Sequence, residues 1–266
     1  MKNKLFCLYT GLVCFMLIFA IFAPYIVPQD PFYSDIASSL QEPSAQHWFG
    51  TDKLGRDVFS RLLYGMRLSL FTAITIVFCI ASIGSIMGAI AGYFGGKIEQ
   101  VIMRLVDIML AFPGIVLAIA IAGILGGSIG NAILALTIVG WAKYARMARS
   151  VTLKVCNEDY IAAAKVQGGT TFNIIKRHIF PNVLPLVVVT GAMDLGVMMV
   201  EVAGLSFLGF GAQPPTPEWG LMINDGRQYL QSSPYLMMFP GLAIFIVVSI
   251  FNLWSDALRD KMDPRQ

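Results

Sequence analysis

Side chains able to do chemistry are sparse in this sequence. Its two histidines, His47 and His178, fall in segments far apart, and its four cysteines, Cys7, Cys14, Cys79 and Cys156, have neither CxxC nor metal-ligand spacing. The cysteines read as small apolar fillers. No Ser-His-Asp or Cys-His set can be assembled from two such histidines, so no catalytic residue, metal site or cofactor is expected, and the chain is not read as an enzyme. The acids say more. Asp194 stands in the middle of an apolar run, with Met198 and Glu201 following at four and seven residues, which places all three on one helical face. An ionised carboxylate at that depth costs about 2.5–3.5 kcal/mol on insertion scales, so it needs a polar path or a partner on another helix. Asp194, Met198 and Glu201 are therefore the translocation-path candidates. The alternative for Asp194 is a structural hydrogen bond; for Glu201, near the end of the run, it is a carboxylate that reaches headgroup water. Met193, Met198 and Met199 offer thioethers, but nickel and cobalt prefer nitrogen and oxygen, and methionine is ordinary packing in membrane helices.

The elements that must carry these groups follow from composition. With 56% apolar and 13% charged residues, the chain has more hydrocarbon surface than a soluble domain of 266 residues buries. Lipid is the expected solvent. Six apolar runs approach the roughly 20 residues that span a bilayer as a helix: 5–27, 68–94, 108–125, 129–147, 183–205 and 235–254. The first is too long for a signal-peptide core and has no A-x-A site before Pro24, so it reads as a retained span. No strand-like alternation suggests a barrel. The net charge of +3 does not call for nucleic acid. If the N-terminus is cytoplasmic, inner segments hold 14 of the 19 Lys and Arg, leaving Lys53, Arg56, Arg61, Arg67 and Arg227 outside. That bias predicts both termini inside, with Trp141 and Tyr144 as anchors near the inner surface.

Within this frame, Gly84, Gly88, Gly92 and Gly96 recur every four residues and form a stripe for close helix packing, either within the chain or at a subunit interface. Pro113 should bend the third span. Arg104 and Asp107, three apart, are expected to neutralise each other. Two outer segments, 28–67 and 206–234, are too short for cores of their own and read as contact surfaces. The longest inner segment, NEDYIAAAKVQGGTTFNIIKRHIFPNVLP from Asn157, reads as two short helices: Gly168 and Gly169 stop the first, Thr170 or Thr171 caps the second, and Pro181 ends it. Phe172, Ile175 and Ile179 share a face of the second helix. Such a pair cannot bury its apolar face alone and needs a partner at the membrane surface.

This segment resembles the cytoplasmic EAA loop of ABC importer permeases, with Ala163, Ala164, Gly168 and Pro181 at the matching positions. Ala162 stands where that pattern has glutamate, and Phe180 replaces its leucine. HWFGTDKLGRDVFSRLLYGMRLSL (47–70), RLVDIMLAFPG from Arg104 and EVAGLSFLGFGAQPPTPEWG from Glu201 extend the resemblance to the OppC/DppC/NikC group, and within it KYARMARS and NLWSDALRDKMDP are most similar to the nickel-permease branch.

The resemblance implies an all-α polytopic membrane protein of the MetI-like permease fold. It has about six transmembrane helices, an N-terminal span and outer loop over 1–67, and a permease domain over 68–266 with its coupling loop at 157–181. It implies a bacterial plasma membrane location, a B-type permease partner, two cytoplasmic ATPase subunits and an extracytoplasmic substrate-binding protein. Ala163, Ala164, Gly168, Phe172, Ile175, His178 and Pro181 would form the ATPase-coupling surface. No G-x-x-x-x-G-K-[ST] is present, which agrees with ATP hydrolysis on separate subunits. The implied cargo is nickel or a chelated transition metal, with a di- or oligopeptide as the alternative. A stand-alone secondary transporter would predict inverted halves with broken helices and paired intramembrane charges, which the sequence does not display, and a membrane scaffold would have no use for a coupling loop.

Overall fold

A long apolar chain in hydrocarbon has to satisfy its N–H and C=O groups internally, and helices do so within one segment. The computed structural model describes residues 2–262 and is helical throughout apart from loops and one isolated bridge between Thr51 and Asp57. Met1 and residues 263–266, where the expected cytoplasmic ends begin and finish, lie outside the described residues. The helices are α1 (Lys2–Ile26), α2 (Val58–Phe94), α3 (Gly96–Ala111), α4 (Gly114–Leu125), α5 (Ile129–Cys156), α6 (Asp159–Val166), α7 (Thr171–Ile174), α8 (Phe180–Phe207), α9 (Trp219–Gly226) and α10 (Tyr235–Met262). Among the described residues α1, α2, the continuous rod 171–207 and α10 are long and apolar enough to cross a bilayer, with a fifth span if α3 and α4, bent by 93°, count as one. The remaining expected span lies in α5, whose 28 residues carry Lys143, Arg146 and Arg149 and are correspondingly less apolar.

Three local expectations change. Pro113 breaks its span at a right angle instead of bending it: the residue before a proline is driven out of the helical region, and Phe112 is extended at φ −102°, ψ 148°. Asp107 takes its partner from α5, with Arg146 Nη2 at 2.7 Å, not from Arg104 on its own helix. Helix α2 begins at Val58, ten residues before the apolar run, because the Asp57 carboxylate accepts from Ser60 N at 2.8 Å and caps it.

Helices α2 and α5 form the central pair. A Cβ on Gly84 would lie 2.4 Å from the Trp141 carbonyl oxygen, one on Gly88 2.2 Å from that of Ala145, and one on Gly92 2.7 Å from Thr152 Cβ. Three glycines of the stripe thus bring two backbones of the same chain together. Gly96 is not among them: it sits at φ +55° in open space at the start of α3. The buried core, including Leu70, Ile76, Ile80, Leu205 and Phe251, lies between this pair and helices α8 and α10. Outside it, α1 lies against α10 and α2.

The segments 28–67 and 206–234 interlock. Asp52 accepts from Leu54 N, Arg56 N and Arg56 Nε at 2.7–3.0 Å, and Arg61 Nε lies 3.5 Å from it. Arg61 also donates to the carbonyls of Pro31 and Pro215, Lys53 pairs with Asp225 at 2.8 Å, and Tyr235 donates to the Gln41 carbonyl. Glu218 caps α9 through Gly220 N and Leu221 N and accepts from Ser69 of α2 at 3.2 Å. Three of the four cations in 28–67 are therefore paired with acids of these two segments.

Candidate functional site

Helix α6 ends as its glycines require. Gly168 N donates to the Lys165 carbonyl and Gly169 N to that of Ala164, a Schellman motif in which Gly168 takes φ +79°, a value that side chains bearing a Cβ rarely adopt. Thr170 then caps α7 by accepting from Asn173 N. Ile161, Ile174 and Ile179 are buried and hold the segment to the bundle, so the inward face of the second helix is Ile174 and Ile179, not Phe172, Ile175 and Ile179. Ile175 is partly buried against that cluster, whereas Phe172 turns outward, 71% exposed, and Val166 at 89% and Tyr160 at 44% are exposed as well. Ala163 is exposed, Ala164 half-buried, and His178 half-buried with its ring 5.8 Å from that of Tyr160.

Pro181 does not end the second helix. A π-helical turn at Ile175–Ile179 absorbs the missing N–H, Pro181 falls in the first turn of α8, and the Asn182 side chain donates to the His178 carbonyl at 2.6 Å. The exposed apolar surface of residues 160–172 is thereby attached to a rod that runs unbroken to Phe207.

Asp194 lies on that rod and is 5% exposed. Its carboxylate accepts from Lys143 Nζ at 2.8 and 3.0 Å and from the Tyr144 hydroxyl at 2.8 Å. Tyr144 is fully buried, so it is an internal donor and not an interfacial anchor. The Lys143 side chain is 55% exposed and opens on a groove of about 440 Å³ beside Leu110, Arg146, Met147 and Leu186. Glu201 is half-buried and near enough to feel both Asp194 and Lys143, and Met198 is buried between them. The face read from Asp194, Met198 and Glu201 is thus a face of α8, but its charge is met by a lysine and a tyrosine from α5. Lys143 and Tyr144 were legible only as the polar end of the fourth apolar run. Among the described residues no three His, Cys, Asp or Glu side chains group as metal ligands. His47 instead pairs through Nδ1 with Asp57 at 3.0 Å.

A helical bundle in which one rod carries the exposed Phe172 near its start and, further along, a buried Asp194 held by Lys143 and Tyr144 of α5 fits a membrane transport subunit. The chain belongs to the family of binding-protein-dependent transport system inner membrane components, whose model matches residues 84–266, and the N-terminal transmembrane domain of oligopeptide transport permease C matches residues 1–43. It is an ABC importer permease subunit, multi-pass in the inner membrane.

Similar proteins include the dipeptide transport permease DppC of Alkalihalophilus pseudofirmus, 45% identical over 99% of this chain and 87% of that one. The nickel transport permease NikC of Escherichia coli K12 is 40% identical over 95% and 91%, and the glutathione transport permease GsiD of Escherichia coli O6:K15:H31 is 44% identical over 95% and 84%. In fold the chain is similar to a solved chain of the MetNI methionine ABC transporter in an inward-facing conformation. The TM-score is 0.61 at 20% identity, covering 76% of this chain and 96% of that one.

Proposed function

We propose that this permease passes a short peptide or peptide-like zwitterion, with both termini cytoplasmic, and that its 157–181 segment takes the stroke of a separate ATPase. The observation that supports the cargo reading is the Lys143–Asp194 pair. Nickel is the reading that the finer sequence resemblance favours, and it asks an intramembrane carboxylate to lower the barrier for a dication. Here that carboxylate already holds an ammonium group and a phenol, and an exposed lysine beside the path repels a bare cation. A molecule with one amino and one carboxyl group meets a different situation, since the exposed Lys143 can meet its carboxylate and the nearby Glu201 its ammonium. Relatives named for dipeptide and glutathione transport, at 45% and 44% identity, support the same class.

The decisive experiment supplies the whole transporter, reconstituted in vesicles with its binding protein, with radiolabelled dipeptides or with nickel. ATP-dependent accumulation of dipeptide and not of nickel is expected; nickel accumulation alone would sink the proposal. For coupling, Phe172→Ala should leave the amount of folded permease in the membrane unchanged and lower co-purification of the ATPase. Tyr160 and Val166 are the other large apolar side chains of this segment left exposed. Unchanged co-purification of the triple alanine variant would remove this surface from the coupling role. Cysteine labelling of the exposed loops from either side of the membrane tests the orientation.

A further inference from the structure

Helices α1, α2, α8 and α10 do not close completely. Between them lies an apolar groove of about 450 Å³, within the size range of small-molecule pockets, open sideways to the surroundings. Its walls include Val13, Phe78, Leu184, Val188 and Trp254. Ser85 also lines it, is 3% exposed, and its hydroxyl has no hydrogen-bond partner. A serine in a helix normally returns its proton to a carbonyl one turn back. A hydroxyl left unpaired away from water is destabilising, and bulk hydrocarbon offers no remedy.

We propose that the groove is a binding site for one bilayer phospholipid, whose acyl chain fills the apolar walls and whose ester carbonyl accepts the Ser85 proton. The groove is cut into membrane-spanning helices, so acyl chains are the solvent already present at its mouth, and an ester is the acceptor that such a chain carries. The exposed Lys176 and Arg177 lie one turn before Phe180, which lines the same groove, and they favour an anionic headgroup there. The lipid would wedge against α8, the rod that joins the coupling surface to Asp194.

Two measurements test this on the full chain assembled with its partner subunits. With p-benzoylphenylalanine in place of Val188, irradiation in native membranes should add the mass of a phospholipid. An adduct with another protein subunit, or no adduct, overturns the site. In delipidated detergent, adding phosphatidylglycerol should raise the unfolding temperature of the parent and of Ser85→Thr, which keeps the hydroxyl. Ser85→Ala should lose at least half of that shift while remaining at least as stable as the parent without lipid, since the alanine removes an unpaired polar group. An equal lipid shift in Ser85→Ala overturns the assignment. Phosphatidylethanolamine should give a smaller shift than phosphatidylglycerol, and the difference should vanish in the Lys176→Gln/Arg177→Gln pair; equal shifts in the parent overturn the headgroup part.

Discussion

Gly88→Ala isolates what holds the transporting helices in register. The added Cβ would lie 2.2 Å from the Ala145 carbonyl oxygen, 2.8 Å from Ala148 Cβ and 2.9 Å from Arg149 N, whereas ordinary contact begins near 3.4 Å. Two of the three obstacles are backbone atoms, which cannot rotate away, so α2 and α5 must separate by about 1 Å. A gap of that size forfeits roughly a quarter to a half of each contact's dispersion energy along the seam. The resulting loss is about 3 kcal/mol or more, the upper end of overpacking costs. Against it stands a helix-propensity gain of about 1 kcal/mol for replacing glycine by alanine.

The net sign is set by the clash. Gly241→Ala, in α10 with nothing within 4 Å of the added methyl, keeps only the propensity gain and serves as the matched control. Heating the detergent-solubilised complex and measuring the monodisperse fraction by size exclusion should show Gly88→Ala unfolding several degrees below the parent. Gly241→Ala should unfold level with the parent or above it. Because Tyr144 rides on α5, Gly88→Ala should also slow transport in the fraction that remains folded. If the two alanine variants behave alike, the close approach of α2 and α5 is not what orders the bundle.

Other outcomes follow from the same geometry. Lys143→Met leaves a buried carboxylate facing Glu201. Breaking a buried pair costs about 3–5 kcal/mol, but the half-exposed lysine is screened, so about 1–2 kcal/mol is expected. Adding Asp194→Asn should recover most of that stability without recovering transport, which a double-mutant thermal cycle with uptake assays will read. Ile174→Ala should destabilise by about 2–5 kcal/mol, because its side chain is buried, whereas Phe172→Ala should not shift the unfolding temperature.

Burial pushes the Glu218 carboxyl above its usual range, against hydrogen bonds from Gly220 N, Leu221 N, Ser206 and Ser69 that pull it down. The native state therefore holds this proton more tightly than the unfolded chain does. The stability it contributes is full below the unfolded pKa and is lost as pH rises through the folded one. Glu218→Gln should flatten that slope in unfolding measured across pH.

Much of this molecule is legible in its sequence. Membrane solvent follows from apolar content alone, because no soluble core of this size absorbs so much hydrocarbon. The stop at Gly168–Gly169 and the cap at Thr170 depend on a few consecutive residues, and local chemistry delivered them as expected. The same holds for the face shared by Asp194, Met198 and Glu201, which needs only helical periodicity.

What the sequence left open was always a matter of partners from distant segments. Whether the glycine stripe faced its own chain or another, and which cation met Asp107 or Asp194, depends on how α5 lies against α2, α3 and α8. No spacing encodes that. Pro181 is the sharpest case: local rules end a helix there, yet the buried Ile179 before it and Val183 after it hold both sides in one rod, and a π-turn accommodates the proline more cheaply than exposing them would. Composition and short-range geometry determined the solvent, the helices and the stop between α6 and α7. Only tertiary packing decided which charges are paired, which apolar residues remain exposed, and that Phe172 and Asp194 share one continuous helix.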